Sequence, residues 1–433
     1  MARVVTLLAL TLAMGCSAVL DFDPFRSGKF DAGPAADAGP DAGLPDADAD
    51  ADLRDAATDA PAADACVPDG ECGDGIRAVT AGDQHTCVID RMGGAWCWGA
   101  NASGQVGRET AGSRVPNPSS VLAISTASSI SAGGGHTCAV QTMKTWCWGA
   151  NTEAQLADTT RVSRSAPAVT IDEMVGMPAG GPAISVALGF EHTCDLRSDA
   201  RMRCAGSDSD GQIGIGPTAG DVVRLTEVSA LTGVRQITSG GAHTCAVIDD
   251  GSLHCWGRNM EGQLGIDTTD DATMPVHVSS LADVAFASAG RNHTCAIAGG
   301  TLHCWGDNAE NQLGVGDADP HLSPTPVTIP GDPPVVRVSA GDRHSCAVTL
   351  AGDLYCWGAN ESNQLGTGEV DPLGAPEAPI AIPGPVADVV AGTRHTCALT
   401  MPGDVYCWGD NRAGQLGTGS TSAPIAEPTR VAF

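Results

Sequence analysis

Trp256-Gly257-Arg258-Asn259-Met260-Glu261-Gly262-Gln263-Leu264-Gly265 is one complete copy of a pattern that this chain carries seven times. Ahead of each copy stands Ala-Gly-x-x-His-Thr-Cys or a close variant, and a short hairpin leads from it to a second cysteine. Counted by its histidine, the pattern falls at His85, His136, His192, His243, His293, His344 and His395, with spacings of 51, 56, 51, 50, 51 and 51 residues. A fixed period of this size marks a propeller or a solenoid, because each unit is one supersecondary element that cannot bury its apolar face alone. From Ile76 to Phe433 there are 358 residues, seven units with no surplus. Each unit reads as four short strands: a stretch such as Val335-Val336-Arg337-Val338, then His-Thr-Cys-Ala-Val, then Leu-x-Cys-Trp-Gly, then a Pro-flanked run such as Pro326-Val327-Thr328-Ile329. Four strands in each of seven units predict an all-β, seven-bladed propeller. The end segments Ile76-Arg77-Ala78-Val79 and Pro428-Thr429-Arg430-Val431 match the first and last strands of a unit, so pairing between them is expected to seal the ring.

The cysteines follow the same frame. Fourteen of the 17 fall in seven pairs 9 or 10 residues apart: Cys87 and Cys97, Cys138 and Cys147, Cys194 and Cys204, Cys245 and Cys255, Cys295 and Cys304, Cys346 and Cys356, Cys397 and Cys407. Strand, turn and strand at that spacing face the two side chains across a hairpin, with the one-residue difference absorbed in the turn. As disulfides, loops this short contribute roughly 2–3 kcal/mol each on a chain-entropy account. Cys66 and Cys72 form an eighth pair, which leaves Cys16 over. Zinc is the competing chemistry, since His85 and Cys87 share a strand face, but no Cys-x-x-Cys occurs and seven identical metal sites would be needed. No metal and no cofactor are expected.

Three regions differ in composition. Residues 1–16 read as an export signal, with Arg3 ahead of the apolar run Val4 to Met14, too short to span a bilayer permanently. Leu12-Ala13-Met14-Gly15-Cys16 resembles the lipobox of bacterial lipoproteins, which implies lipidation of Cys16 and, with Ser17 behind it, an outer-membrane or cell-surface location; plain cleavage and secretion stay open. Residues 17–75 hold 15 acids against 3 bases in a sequence of Asp, Ala, Pro and Gly, so this part is expected to be a disordered tether of roughly 45 Å coil dimension. Residues 76–433 hold 36 acids against 19 bases. At −17 that region is a poor match for a phosphate backbone, and no nucleic-acid partner is expected.

The Trp-Gly-x-Asn-x-x-Gly-Gln-Leu-Gly stretch together with Ala-Gly-x-x-His-Thr resembles the regulator-of-chromosome-condensation repeat. The resemblance implies a seven-bladed propeller. It also implies two known outcomes: nucleotide exchange on a small nuclear GTPase in a eukaryotic member, and inhibition of β-lactamases in a secreted bacterial one. Export, disulfides and acidity argue against the first, and nothing in the chain singles out the second target.

Most repeated residues have building roles. A histidine repeated seven times beside a tight turn suits backbone hydrogen bonding better than a single active centre, and no catalytic residue is assigned. Gln105, Gln155, Gln212, Gln263, Gln312, Gln364 and Gln415 suit the capping of turn backbone. His254 and His303, like Trp96, Trp146, Arg203, Tyr355 and Tyr406, precede a cysteine at a position expected to pack between blades. Units two and three depart from the frame, with Ala157 where others have Gly and Ala205 where others have Trp, and the longest spacer, through Val175-Gly176-Met177-Pro178, precedes unit three.

Binding is expected where the frame is free. The two residues before each His vary and must share one face of a ring, so Arg291, Arg343 and Arg394 of units five to seven should lie side by side as a basic sector. Asp83 and Gln84 of unit one and Phe190 and Glu191 of unit three occupy equivalent places. The function read from this is a monomeric, tethered, non-enzymatic scaffold for an extracytoplasmic protein or ligand, touching the membrane only through its N-terminal lipid. A propeller lyase or hydrolase at the central channel and a structural envelope component are the alternatives. Unlike polar residues clustered near the axis would favour the enzyme, and a uniform lining would favour binding.

Overall fold

The computed structural model describes residues 75–108, 112–169, 181–218, 220–369 and 371–433. Cys16, the Cys66 and Cys72 pair, the acidic segment and the spacer through Val175-Gly176-Met177-Pro178 lie outside these residues. The described chain forms 27 strands in seven antiparallel sheets, six of four strands and one of three. Each sheet is one blade made of strands consecutive in sequence. Blade one, for example, is Ile76–Ala81, His85–Asp90, Ala95–Ala100 and Arg114–Ser120. The seven-bladed all-β architecture is the one that the 51-residue period implies.

Two details differ from the sequence reading. The first and last segments do not pair: Ile76–Ala81 bonds to His85–Asp90 in blade one, and Ile425–Arg430 bonds to Val405–Gly409 in blade seven. The ring closes instead by packing of blade seven on blade one, helped by the Ile76 N–H donating to the Gly403 carbonyl at 3.0 Å. The fourth strand also sits earlier than the Pro-flanked apolar run. In blade five it is His321–Pro326, and Val327 and Ile329 behind it turn inward as core. Blade six has three strands, with a single bridge between Gly358 and Leu373 in the fourth place.

The cores lie between neighbouring blades rather than within one. Trp256 of blade four packs with Ile213, Val228 and Leu231 of blade three, and Trp305 of blade five packs with Leu264 and Val278 of blade four. Burying an indole removes a large apolar area from water, so six interior tryptophans compensate for the scarcity of other aromatics. All seven cysteine pairs are opposite each other in register and joined, with Cα–Cα distances of 4.1–4.2 Å, and every sulfur side chain is buried.

Candidate functional site

A hydrogen-bonded circle runs through the whole ring beneath the face that carries the Ala-Gly turns. The imidazole Nε2 of each motif histidine lies 2.8–3.0 Å from the hydroxyl of the residue that follows the next blade's motif histidine: His85 on Thr137, His136 on Thr193, His192 on Thr244, His243 on Thr294, His293 on Ser345, His344 on Thr396, and His395 back on Thr86. Each hydroxyl in turn donates to the carbonyl of a motif glutamine, as Thr244 does to Gln212 at 2.8 Å. Because the hydroxyl proton is spent there, the imidazole must be the donor, which assigns its proton to Nε2. The expected backbone partner is thus replaced by a hydroxyl of the neighbouring blade. Nδ1 of all seven is buried with no hydrogen-bond partner. Burial without a partner for a second proton holds these imidazoles far below the usual range, at about 3 for His85, His136, His243 and His344 and about 4 for His192, His293 and His395.

The rest of the motif is used up in the same way. A Cβ on Gly240, after Ser239 in the blade-four copy of this turn, would lie 2.2 Å from the Gly290 carbonyl and 2.4 Å from the His243 ring, so only glycine lets blades approach this closely. The Gln263 amide oxygen accepts from the Glu261 N–H, and the Asn259 amide oxygen from the Leu264 N–H, as the turn-capping reading expects. His254 lies beside His277 of its own sheet with ring centroids 5.1 Å apart and the planes tilted by 43°, and Tyr355 and Tyr406 pack between blades.

What remains free gathers on the same face. Arg291, Arg343 and Arg394 line one funnel of about 820 Å³ with Asp83 and Gln84, as their place ahead of each His implies. The funnel also takes residues that this rule missed: Arg258, Asp307 and Asp410, between Trp-Gly and Asn in their units, and Glu310 and Arg412, just after that Asn. Those positions vary between copies too, and that was the available signal. Five guanidiniums therefore meet five carboxylates. Arg291 pairs with Asp342 at 3.6 Å, Arg343 with Glu310 at 3.3 Å, Arg412 with Asp410 at 3.7 Å, and Arg394 with Glu361 at 4.0 Å. The sector is charge-mixed rather than purely basic. Burial pushes the Asp342 carboxyl above its ordinary range against the pull of Arg291 and Arg343, and the charge of Asp83 adds to the rise.

Phe190 and Glu191 face elsewhere. Phe190 lines the narrower central channel of about 220 Å³ formed by the Ala-Gly turns, and the Arg291 guanidinium lies 5.2 Å from its ring centroid. Glu191 belongs to an acidic group with Glu153 and Asp221; its carboxyl is raised by burial first and by those two charges next. Arg161 bridges Glu153 at 3.6 Å and Asp221 at 2.5 Å. The face thus holds a five-blade mixed-charge funnel over blades four to seven and one, and small residues, an aromatic and an acidic group bridged by Arg161 over blades two and three.

Comparison with known proteins places this geometry. The sequence model of a family described as the RCC1-like domain matches residues 42–333 and 232–433. The ultraviolet-B receptor UVR8 of Arabidopsis thaliana is 30% identical over 261 residues, 59% of this chain and 59% of that protein. The secretion-regulating guanine nucleotide exchange factor of Bos taurus is 33% identical over 241 residues, 52% of this chain and 51% of that protein. E3 ubiquitin-protein ligase HERC2 of Homo sapiens is 29% identical over 58% of this chain, which spans 5% of its length. Among solved structures, Prp20p of Saccharomyces cerevisiae superposes with a TM-score of 0.67 at 22% identity, covering 78% of this chain and 85% of that one, and human WBSCR16 with 0.67 at 23%, covering 75% and 87%.

Proposed function

The chain belongs to the RCC1-like domain family, and from that premise we propose that it is a non-enzymatic binding scaffold, exported and tethered outside the cytoplasm, whose recognition site is the charge-mixed funnel. One observation carries the reading: the residues that the repeat leaves free converge on that funnel from five blades, while the repeated residues are consumed by turns, disulfides and blade contacts. The partner that fits is a protein segment presenting both signs of charge. Surface pairs such as Arg343 with Glu310 are weak and can be exchanged for partner groups at small cost. Relatives support a protein partner: Prp20p is described with binding properties to Gsp1p and histones. The chain spans about half the length of the receptor and the exchange factor and far less of the ligase, so their whole-protein activities do not carry over.

The enzymatic alternative rests on a separate observation. The lining differs from blade to blade, and Asp342 is a protonation-prone carboxyl beside Asp83 near the axis. The Thr393 hydroxyl on the funnel wall also donates to the Asp83 carboxylate; against an enzyme, the guanidiniums of the funnel are engaged by carboxylates. The test is a double charge reversal, Arg343→Glu with Arg394→Glu, compared with Arg114→Glu on an outer strand. Affinity for the partner captured by the unmodified chain should fall about tenfold or more, largely in the association rate, for the double variant alone. Equal affinity in all three proteins would overturn the assignment.

A further inference from the structure

The opposite face, where the second and third strands of each blade are joined by hairpins, is asymmetric in a way that the repeat does not require. In blades six, seven, one and two these hairpins carry Leu350, Met401, Met92 and Met143, which are 66, 56, 86 and 65% exposed, and Leu122 in the connection from blade one to blade two is 88% exposed. The corresponding tips of blades three, four and five are Ser198-Asp199, Asp249-Asp250 and Gly299-Gly300. Four consecutive blades thus present large apolar side chains to solvent and three present none. A scattered apolar residue needs no explanation, but a contiguous arc marks an interaction surface.

The described chain begins at the centre of this arc. The Gly75 carbonyl accepts from the Arg91 N–H at 3.1 Å, and Ile76 bonds to Gly403, so Gly75 is held between the hairpins of Met401 and Met92. Two of these tips carry a cation beside the apolar side chain. Arg91 and Lys144 adjoin Met92 and Met143 in sequence, while Asp90 turns back to its own hairpin and accepts from the Met92 and Gly94 N–H groups and the Trp96 indole. Asp404 pairs with Arg430 at 2.6 Å, and Asp353 is set at the blade-six end. Beyond the arc, the blade-three tip holds Asp199 with Arg201 at 4.0 Å, and the blade-four tip adds Asp249 and Asp250.

We propose that this arc is a membrane-docking edge: Leu350, Met401, Met92, Leu122 and Met143 enter the interfacial region of an anionic bilayer, with Arg91 and Lys144 at the headgroups and the acidic tip of blade four tilted away. Three features select a bilayer as the occupant. The side chains protrude singly from separate blades and form no groove that would seat a peptide, whereas an interface accepts separated insertions. A second copy on the same arc would bring the Arg91 and Lys144 pairs of both molecules together. The segment that joins the ring at the arc's centre is the one whose first 16 residues read as an export signal ending in a lipobox-like cysteine. The docking goes beyond a membrane contact made only by that lipid and does not depend on what the funnel binds.

Hydrogen exchange on the full chain tests it, in buffer, on phosphatidylcholine vesicles and on vesicles with added phosphatidylglycerol. Amides of 89–95, 141–145, 349–353 and 400–404 should slow several-fold on the anionic vesicles, while 248–252 and 298–301 stay unchanged. Met92→Asp with Met401→Asp, both at exposed tips, should return the 141–145 amides to their rate in buffer. No slowing on vesicles, or equal slowing in all seven blades, overturns the proposal. Slow exchange at the arc already in buffer also overturns it, in favour of a segment of this chain if independent of concentration and of a second copy if not.

Discussion

Between blades four and five the Trp305 indole lies against Gly265, whereas between blades two and three Ala205 stands in the indole's place and Ala157 in the glycine's. Five glycines at the Gln-Leu-Gly position, Gly214, Gly265, Gly314, Gly366 and Gly417, would put a Cβ 2.4–2.8 Å from the next blade's indole nitrogen. The glycine is therefore there because the indole is, and where the indole is lost a methyl returns. Leu225 closes on the two alanines. The same junction exchanges apolar packing for charge: Asp195 and Arg203 are buried as an ion pair, Arg203 Nε donating to Asp195 at 3.0 Å, and the Thr145 hydroxyl of blade two donates to the same carboxylate. Other blades have Val or Ala at the aspartate's place and an aromatic or His at the arginine's. Blade three keeps the strand frame, the disulfide and the histidine circle while replacing what fills the interface.

The largest expected effect concerns what blade three shares with the others. The seven imidazoles are neutral in the fold at about 3 or 4, against 6.5 for the exposed side chain. Below pH 6.5 the unfolded chain takes up protons that the native ring refuses. Their contribution is complete above that pH and is lost as pH falls toward 4. One site is worth about 1.4 kcal/mol per pH unit in that window, and seven together up to roughly 10 kcal/mol per unit. Urea midpoints should fall steeply from pH 7 to pH 5, with blade three losing its structure together with blades four to seven. Separate melting of blade three would show that the circle does not couple it to the rest, and a flat profile would place the protons elsewhere.

Next in size is the buried pair. Arg203→Ala strands Asp195 without its counter-charge and should destabilise by about 3–5 kcal/mol. Asp195→Ala with Arg203→Tyr, the residues of blades six and seven, should be neutral or stabilising by about 1–4 kcal/mol. Thermal melts of the three proteins decide whether blade three differs only in how its interface is filled. If the double variant is as unstable as the single one, the ion pair holds something that the other blades build differently.

How far these contrasts could be read beforehand depends on their range. The period, the strand order, the paired cysteines and the turn-capping Gln263 follow from local spacing, where residue type and geometry determine one another. The departures Ala157 and Ala205 were visible as two irregularities 48 residues apart, but only their contact across blades makes them one exchange. Arg343 and Arg394 were placed by frame position, yet their partners Glu310 and Glu361 come from loops of neighbouring units; both pairs repeat the same offset in the frame, but only the geometry shows which positions of adjacent units touch. The closure by packing rather than strand pairing was hidden for a related reason: Ile76–Ala81 and Ile425–Arg430 look equally able to pair with each other and with their own blades.

The smallest effect tests the exchange itself. Ala205→Trp alone drives an indole onto the Ala157 methyl and should cost about 1–3 kcal/mol by overpacking. Ala157→Gly alone removes a methyl from a cluster but relieves a residue at φ 53°, a left-handed conformation costing a non-glycine roughly 1 kcal/mol, so the two contributions nearly cancel. Combined, they recreate the contact of the other junctions, and the new indole can donate to the Gln155 carbonyl, which accepts from the Thr193 hydroxyl at 2.8 Å. Leu225 still occupies part of that space, so the double variant should recover most of the loss without exceeding the parent. A double-mutant cycle on urea midpoints should give a favourable coupling of about 1–2 kcal/mol. Additive effects would mean that glycine and indole do not constrain each other here, and the likeness drawn between this junction and the others would fail at its most local point.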